Sequence, residues 1–191
     1  MIAQELIHKI RKQKGKNGLM LLKIDLQKAY DRVEWSFLDK TMGCLRFSQQ
    51  VRSFVINCVG SVQYRLVLNG NIWGFINPSR GLRQGEPLSP FLFVLTAKVL
   101  SRLIVREEDA GRIQGVKVSR TAPTISHLIY ADDLMITCRA NENNARAMKV
   151  CLDTYFVWSR QEANLGKSRI LFSKNLCGKV KKRIKSHFGF K

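Results

Sequence analysis

The stretch HLIYADDLMI, residues 127–136, sets two adjacent acids, Asp132 and Asp133, between two apolar runs. Alone it reads most simply as a β-hairpin with an acidic tip, because Asp is a common turn residue. The sharper reading is a metal site, since two like charges side by side become useful when a divalent cation neutralises them. A third carboxylate from elsewhere in the chain decides between the two.

Asp25 is that candidate. It stands at the end of LMLLKIDL, residues 19–26, a short apolar run that reads as a strand buried on both faces. An acid at such an edge is unusual unless it is paired or ligated. If this strand and the acidic hairpin share one sheet, Asp25, Asp132 and Asp133 converge at one edge. Three such carboxylates can hold two Mg²⁺ ions roughly 3.5–4 Å apart, one activating a 3′-hydroxyl and one gripping a triphosphate. Phosphoryl transfer asks little more of a protein than alignment and charge.

The rest of the chain supplies the sheet and its cover. Ile2, Leu6 and Ile10 have helical spacing over residues 1–13, and Gly15 and Gly18 break it. Helices are expected from about Trp35 to Leu45 and over 143–158, and another apolar-periodic segment runs from Val51 to Val59. Ser89 reads as an N-cap and Pro90 as N1 of a helix running to about Arg106. Residues 62–76 give a hairpin around Asn69-Gly70. Strands are expected over 113–118, 125–130, 134–138 and 170–173. The pattern is α+β, an antiparallel sheet with helices on one face. The divisions expected are a basic helix and loop (1–18), a core (19–173) and a basic tail (174–191).

Bulk composition narrows the partners. With 33 Lys and Arg against 14 Asp and Glu, the net charge of +19 favours a polyanion, because cations gain by releasing counterions from phosphates. The charge gathers in two places: Lys9, Arg11, Lys12, Lys14 and Lys16, then Lys174, Lys179, Lys181, Lys182, Arg183 and Lys185. No apolar run has the roughly 18–20 residues of a membrane span, and the N-terminus has no signal-peptide core. The basic segments lack an aromatic membrane anchor, so no membrane partner is expected. Five cysteines without CxxC spacing give neither a zinc site nor a disulfide framework, which suits a reducing compartment.

Four blocks in order carry a resemblance: KIDLQKAYD, GLRQGEPLSPFLF, YADD and NLGKSRILFS. The sequence resembles the palm of a reverse transcriptase, and the long RQGxPLSP form resembles the non-LTR (LINE-type) retrotransposon branch abundant in plants. The resemblance implies an RNA-directed DNA polymerase that uses two Mg²⁺ ions, with Mn²⁺ as a substitute. Its partners would be an RNA template, a DNA primer and dNTPs. By the same resemblance Asp25, Asp132 and Asp133 are catalytic metal ligands, joined by the main-chain carbonyl of Leu26. Tyr30 matches the ring under the incoming sugar, which leaves no room for a 2′-hydroxyl. Gln84 and Gly85 would meet the nucleotide, and Gly81, Arg83 and Tyr130 the nucleic acid. Arg83 has the alternative of pairing with Glu86. Lys167 matches a lysine suited to the triphosphate or to protonating pyrophosphate, with a plain solvated lysine as the alternative.

Other block residues read as structural: Pro87, Ser89 and Pro90 set a turn and a helix start, and Trp35, Trp158 and the Phe residues fill the core. Three departures from the family pattern stand out. Glu86 replaces a commoner Asp, Tyr130 a commoner Phe, and Arg160 the Gly of a Ser-Gly-Gln turn. If that turn needs positive φ, Arg160 strains it by roughly 1 kcal/mol or more. The expected architecture is a palm with partial fingers and no thumb, a piece of a longer element. The rival reading is a non-catalytic nucleic-acid-binding remnant of the same fold. A group II intron-like maturase lacks support in the RQGxPLSP form, and Tyr30 with YADD speaks against RNA synthesis. Target-primed copying implies the nucleus, with the cytoplasm as the alternative.

Overall fold

The structure, a computed structural model, describes residues 2–15, 17–130 and 133–189. Its centre is a four-stranded antiparallel sheet in the order β6-β7-β1-β8. These strands are β1 (Leu19–Asp25), β6 (His127–Tyr130), β7 (Asp133–Arg139) and β8 (Arg169–Phe172). Strand β1 lies in the middle, which explains its near-continuous apolar run. Alternate side chains on it serve two cores. Met20, Leu22 and Ile24 enter the larger one, while Leu19 and Leu21 enter a smaller one with Leu6 and Ile10. Each such side chain, fully buried, contributes about 1.5–3 kcal/mol relative to exposure.

Helices α2 (Trp35–Cys44), α4 (Ser89–Asp109) and α5 (Glu142–Ser159) supply the larger core. In α4 the buried positions Leu92, Phe93, Thr96, Ala97, Leu100, Leu103 and Ile104 repeat at helical spacing and make one apolar stripe. Helix α3 (Gln49–Gly60) is capped by Ser48, whose hydroxyl accepts from the Val51 N–H at 3.4 Å. The Arg52 guanidinium ties α3 to Asp39 of α2 and holds that carboxyl below its usual range. Helix α1 (Ile2–Lys12) packs on the other face of the sheet, so the helical cover is not confined to one face.

Strands β2 (Tyr64–Leu68) and β3 (Asn71–Ile76) form the expected hairpin, and Asn69 and Gly70 both take positive φ at its turn. Every residue of both strands is exposed. Short strands β4 (Val116–Lys117) and β5 (Thr124–Ile125) pair beside the main sheet. All five cysteines are free thiols, and burial pushes Cys151 up to about 11.

Three expectations need correction. Ser89 is not a cap: it is the first residue of α4, and its hydroxyl is buried without a hydrogen-bond partner. The residue before it, Leu88, holds the N-cap position, which puts Pro90 at N2, one place later than the N1 expected. The helix ends at Asp109, within a turn of the expected end. Not all large aromatics are core, since Phe54, Phe75, Phe91 and Trp158 are exposed. The stretch read as a basic tail contains helix α6 (Gly178–Phe188), which buries Ile184 and Phe188 in the larger core.

Candidate active site

Strand register creates the site. In the β1–β7 pairing Asp25 is the partner of Asp133. Their neighbours Ile24 and Leu134 point into the larger core, so the two acids stand on the opposite face. Lys23 shares that face, and its Nζ lies 3.0 Å from Asp133 Oδ1. Tyr130, 84% exposed, is the β6 partner of Asp133. Asp132 lies outside the described residues. Among the described residues no group of three His, Cys, Asp or Glu side chains could hold a metal ion. The geometry therefore bears on Asp25 and Asp133.

Beside this pair opens a cleft of about 320 Å³ lined by Asp25, Leu26, Tyr30, Gln84, Asn164 and Lys167, together with residues 27–29. Three of the four sequence blocks meet there. Larger clefts exist elsewhere on the molecule. One of about 620 Å³ behind α2 and α4 is lined by Lys40, Lys98, Arg102 and Trp158 and has no carboxylate.

Main-chain pairing holds the cleft open. Leu26 bridges to Ala163, with the Asn164 N–H donating to Asp25 O at 2.8 Å and the Gln27 N–H to Glu162 O at 2.8 Å. The carbonyl of Leu26 takes part in neither bond. The Asn164 side chain accepts from the N–H groups of Gly166 and Lys167, at 3.1 and 3.3 Å, and so shapes the turn that carries Lys167. Tyr30 stacks on Phe93 of α4 with ring centroids 5.0 Å apart and 17° between planes. The second block's helix thus backs the ring that lines the cleft.

The glycines of the second block differ in duty. Gly81 has φ +97°, and a Cβ there would lie 2.9 Å from the main-chain oxygen of Asp31. Its N–H donates to Val33 O at 2.8 Å, and its carbonyl accepts from Trp35 Nε1 at 2.8 Å. Close approach at Gly81 is therefore to the protein's own backbone. Gly85 has φ +86° and faces open space. Gln84 Nε2 reaches Asp31 Oδ1 at 3.5 Å. Arg83 and Glu86 line a neighbouring cleft, and no ion pair joins them.

Sequence reasoning passed over four residues that build the site. Ser168, fully buried, accepts at Oγ from the Asp25 N–H at 3.2 Å. Gln161 is 2% exposed and donates from Nε2 to Ala29 O at 2.9 Å, anchoring the loop that leads to Tyr30. Asn164 shapes the lysine turn, and Lys23 forms an ion pair with Asp133. The available signal was polarity: Gln161, Asn164 and Ser168 are uncharged polar residues packed into one block between a helix and a strand. Arg160 takes φ 57° at the C-cap of α5, the left-handed conformation expected of the Gly it replaces.

The donor set suits a hard divalent cation. Two carboxylates face each other on an accessible sheet face, and a main-chain carbonyl lies next to one of them. Oxygen donors of this kind are what Mg²⁺ and Mn²⁺ take, whereas thiol and imidazole donors are not part of the cleft.

The family model described as "Reverse transcriptase (RNA-dependent DNA polymerase)" matches residues 1–185. The chain belongs to the reverse transcriptase family. It is 52% identical over 67 residues to an uncharacterized mitochondrial protein of Arabidopsis thaliana, covering 35% of this chain and 55% of that protein. It is 32% identical over 127 residues to the retrovirus-related Pol polyprotein of a type-1 retrotransposable element R2 from Nasonia vitripennis, covering 65% of this chain and 11% of that one. The chain thus spans about half or less of the length of these relatives. R2 elements are non-LTR retrotransposons, in keeping with the branch that the second block resembles. Among solved structures, a Candida tropicalis telomerase truncated from its C-terminal domain superposes with TM-score 0.62 at 16% identity, over 91% of this chain and 34% of that one. That likeness shows the palm-type fold of this reverse transcriptase chain. No helix among its described residues is long and apolar enough to cross a membrane.

Proposed function

We propose that the chain is the palm of an RNA-directed DNA polymerase, transferring a nucleotide from a dNTP to a primer 3′-hydroxyl on an RNA template. The observation that carries this reading is the cleft that gathers Asp25, Leu26, Tyr30, Gln84 and Lys167 next to the Asp25–Asp133 register pair. Reverse transcriptases generally use divalent metal ions, and in this reading Asp25, Asp132, Asp133 and the Leu26 carbonyl hold two Mg²⁺. When bound, such ions lower the pKa of the attacking hydroxyl and neutralise the leaving pyrophosphate.

The protein's own side chains do the rest. Tyr30, braced by Phe93, presents a ring edge to the sugar and excludes a 2′-hydroxyl. Lys167, fixed on its Asn164 turn, faces the cleft as a cation for the triphosphate. Gln84 sits opposite, where a base pair would lie over it. Tyr130 offers an exposed face on which a primer base can stack, a contact worth about 1–3 kcal/mol per base. Lys23 keeps Asp133 oriented on the open face until a metal competes for it. Target-primed copying would place this work in the nucleus.

Primer extension tests the proposal. Purified protein receives poly(rA)/oligo(dT), labelled dTTP and Mg²⁺, beside an Asp25→Asn variant and an Asp132→Asn, Asp133→Asn double variant. Extension by the wild type and a loss of about 10³-fold or more in both variants is the expected result, since each substitution removes metal-binding charge. Equal extension by wild type and variants would refute the site. No extension by any of them, with RNA binding retained, would leave a nucleic-acid-binding scaffold of the same fold.

A further inference from the structure

The two basic clusters are far apart in the sequence but not in the fold. Strand β8 runs antiparallel to β1 and ends beside its start, where Ser173 N–H donates to Leu19 O at 2.9 Å and Ser173 Oγ accepts from Leu19 N–H at 2.9 Å. Two residues on, Asn175 Nδ2 donates to Gly15 O at 2.6 Å, a contact between positions 160 apart in the chain. Leu176 closes the joint against Gly18, where a Cβ would lie 2.6 Å from Leu176 Cδ1. This joint ties the loop after α1, which carries Lys14, to the loop before α6, which carries Lys174.

The combined surface is one-sided in charge. After Glu162 the sequence contains no acid at all, and Glu5 is the one acid before Asp25. Lys14, Lys174, Lys179, Lys182 and Lys185 are exposed. Of the basic residues in α6, Arg183 has an ion pair, with Glu142 at 3.2 Å. Lys181 and Lys185 stand four apart on one helix, and Lys179 and Lys182 three apart, spacings at which like charges repel. The helix is held in place despite this by Val180, Ile184 and Phe188 packing into the larger core. Such self-repulsion is relieved when a polyanion lies across it.

We propose that this basic end of the molecule binds the phosphate backbone of double-helical RNA, at a second site separate from the cleft. Separation follows from β1: the joint sits at Leu19 and the carboxylates at Asp25, six steps of about 3.3 Å or ~20 Å along the strand. A duplex is the favoured form because the described residues of this surface offer no stacking platform. Phe188 is buried, and residues 9–18 and 173–189 contain no Trp or Tyr. Lysines arrayed this way contact phosphates as point charges and carry no base readout. That the nucleic acid is RNA rests on the polymerase reading above, in which the chain handles an RNA template.

The test compares two triple variants of equal net charge in the full chain. One is Lys14→Gln, Lys174→Gln, Lys182→Gln. The other is Lys40→Gln, Lys98→Gln, Arg102→Gln, on the helical back around α2 and α4. Binding of a fluorescent RNA hairpin stem is followed by anisotropy across a salt series, with a DNA duplex of the same sequence in parallel, and circular dichroism melting confirms that both variants fold. The expected result is at least tenfold weaker RNA binding by the first variant and a log–log salt slope shallower by about 2–3, at roughly 0.7–0.9 per phosphate contact. The second variant should stay within about twofold of wild type. Extension of a short primer–template at saturating concentration should be unchanged in the first variant. Equal loss in both variants would overturn the proposal, because net charge and not place would then set affinity. So would unchanged RNA binding by the first variant, or a loss seen with the DNA duplex alone. If the wild type extends no primer, the polymerase reading fails while the binding comparison still decides this surface.

Discussion

Replacing Gly81 and Gly85 separately by Ala would isolate how the second block is built. Both glycines have φ in the region that L residues rarely adopt, +97° and +86°. Strain at such a φ costs about 1–2 kcal/mol, and the stiffer unfolded chain of an Ala variant offsets about 0.4–1 of it. Gly85→Ala adds nothing further, because a Cβ there meets open space. Its net loss should be about 1 kcal/mol. Gly81→Ala adds a contact of 2.9 Å with the main-chain oxygen of Asp31, which cannot rotate away as a flexible side chain would. Overpacking of that kind costs typically about 1–3 kcal/mol more. For a chain of this size each kcal/mol moves the melting temperature by about 2–4 °C. Thermal unfolding followed by circular dichroism should therefore place Gly81→Ala about 2–12 °C below Gly85→Ala. Equal melting temperatures, or the reverse order, would refute the argument that Gly81 is required by packing on Asp31 rather than by its φ alone.

Other expectations follow from single contacts. Tyr30→Ala should admit ribonucleotides, read as a rise of at least about tenfold in rNTP incorporation relative to dNTP in a primer-extension assay, since a pocket that merely loses a ring discriminates by ~1–3 kcal/mol less. Arg160→Gly should raise the melting temperature by about 2–4 °C, because glycine occupies the φ 57° position without strain of ~1 kcal/mol. Glu107 is buried, and the Arg112 guanidinium, at 2.5 and 2.9 Å, holds its carboxyl below the usual range. A depressed folded-state pKa contributes stability above the unfolded value of 4.5 and loses it as pH falls through the folded value. Wild type should therefore lose stability in denaturant titrations as pH drops below 4.5, and Glu107→Gln should show a flatter acid limb.

Much of the fold was legible because it is local. The Asn69-Gly70 turn, the apolar stripe of α4 and the break after α1 each depend on residues within a few positions of one another. The exposed aromatics were misread for the opposite reason. Phe54, Phe75, Phe91 and Trp158 have core chemistry, and sequence cannot say which surfaces other segments cover. Helix α6 is hidden in the sequence because its basic residues mask a three-residue stripe, Val180, Ile184 and Phe188, that gains meaning only against a partner core.

By itself the sequence determined the chemistry on offer: three carboxylates in apolar settings, a tyrosine five positions after the first, and a glycine-rich second block. Side-chain identity and short spacing carry that information directly. Tertiary structure alone decided which of these meet. The β1–β7 register sets Asp25 opposite Asp133, and a slip of one residue would turn either acid into the core. Ser168 reaches Asp25, Gln161 reaches Ala29 and Asn175 reaches Gly15 only because β8 returns along β1. Contacts across such distances are set by sheet order and packing, which no local spacing encodes.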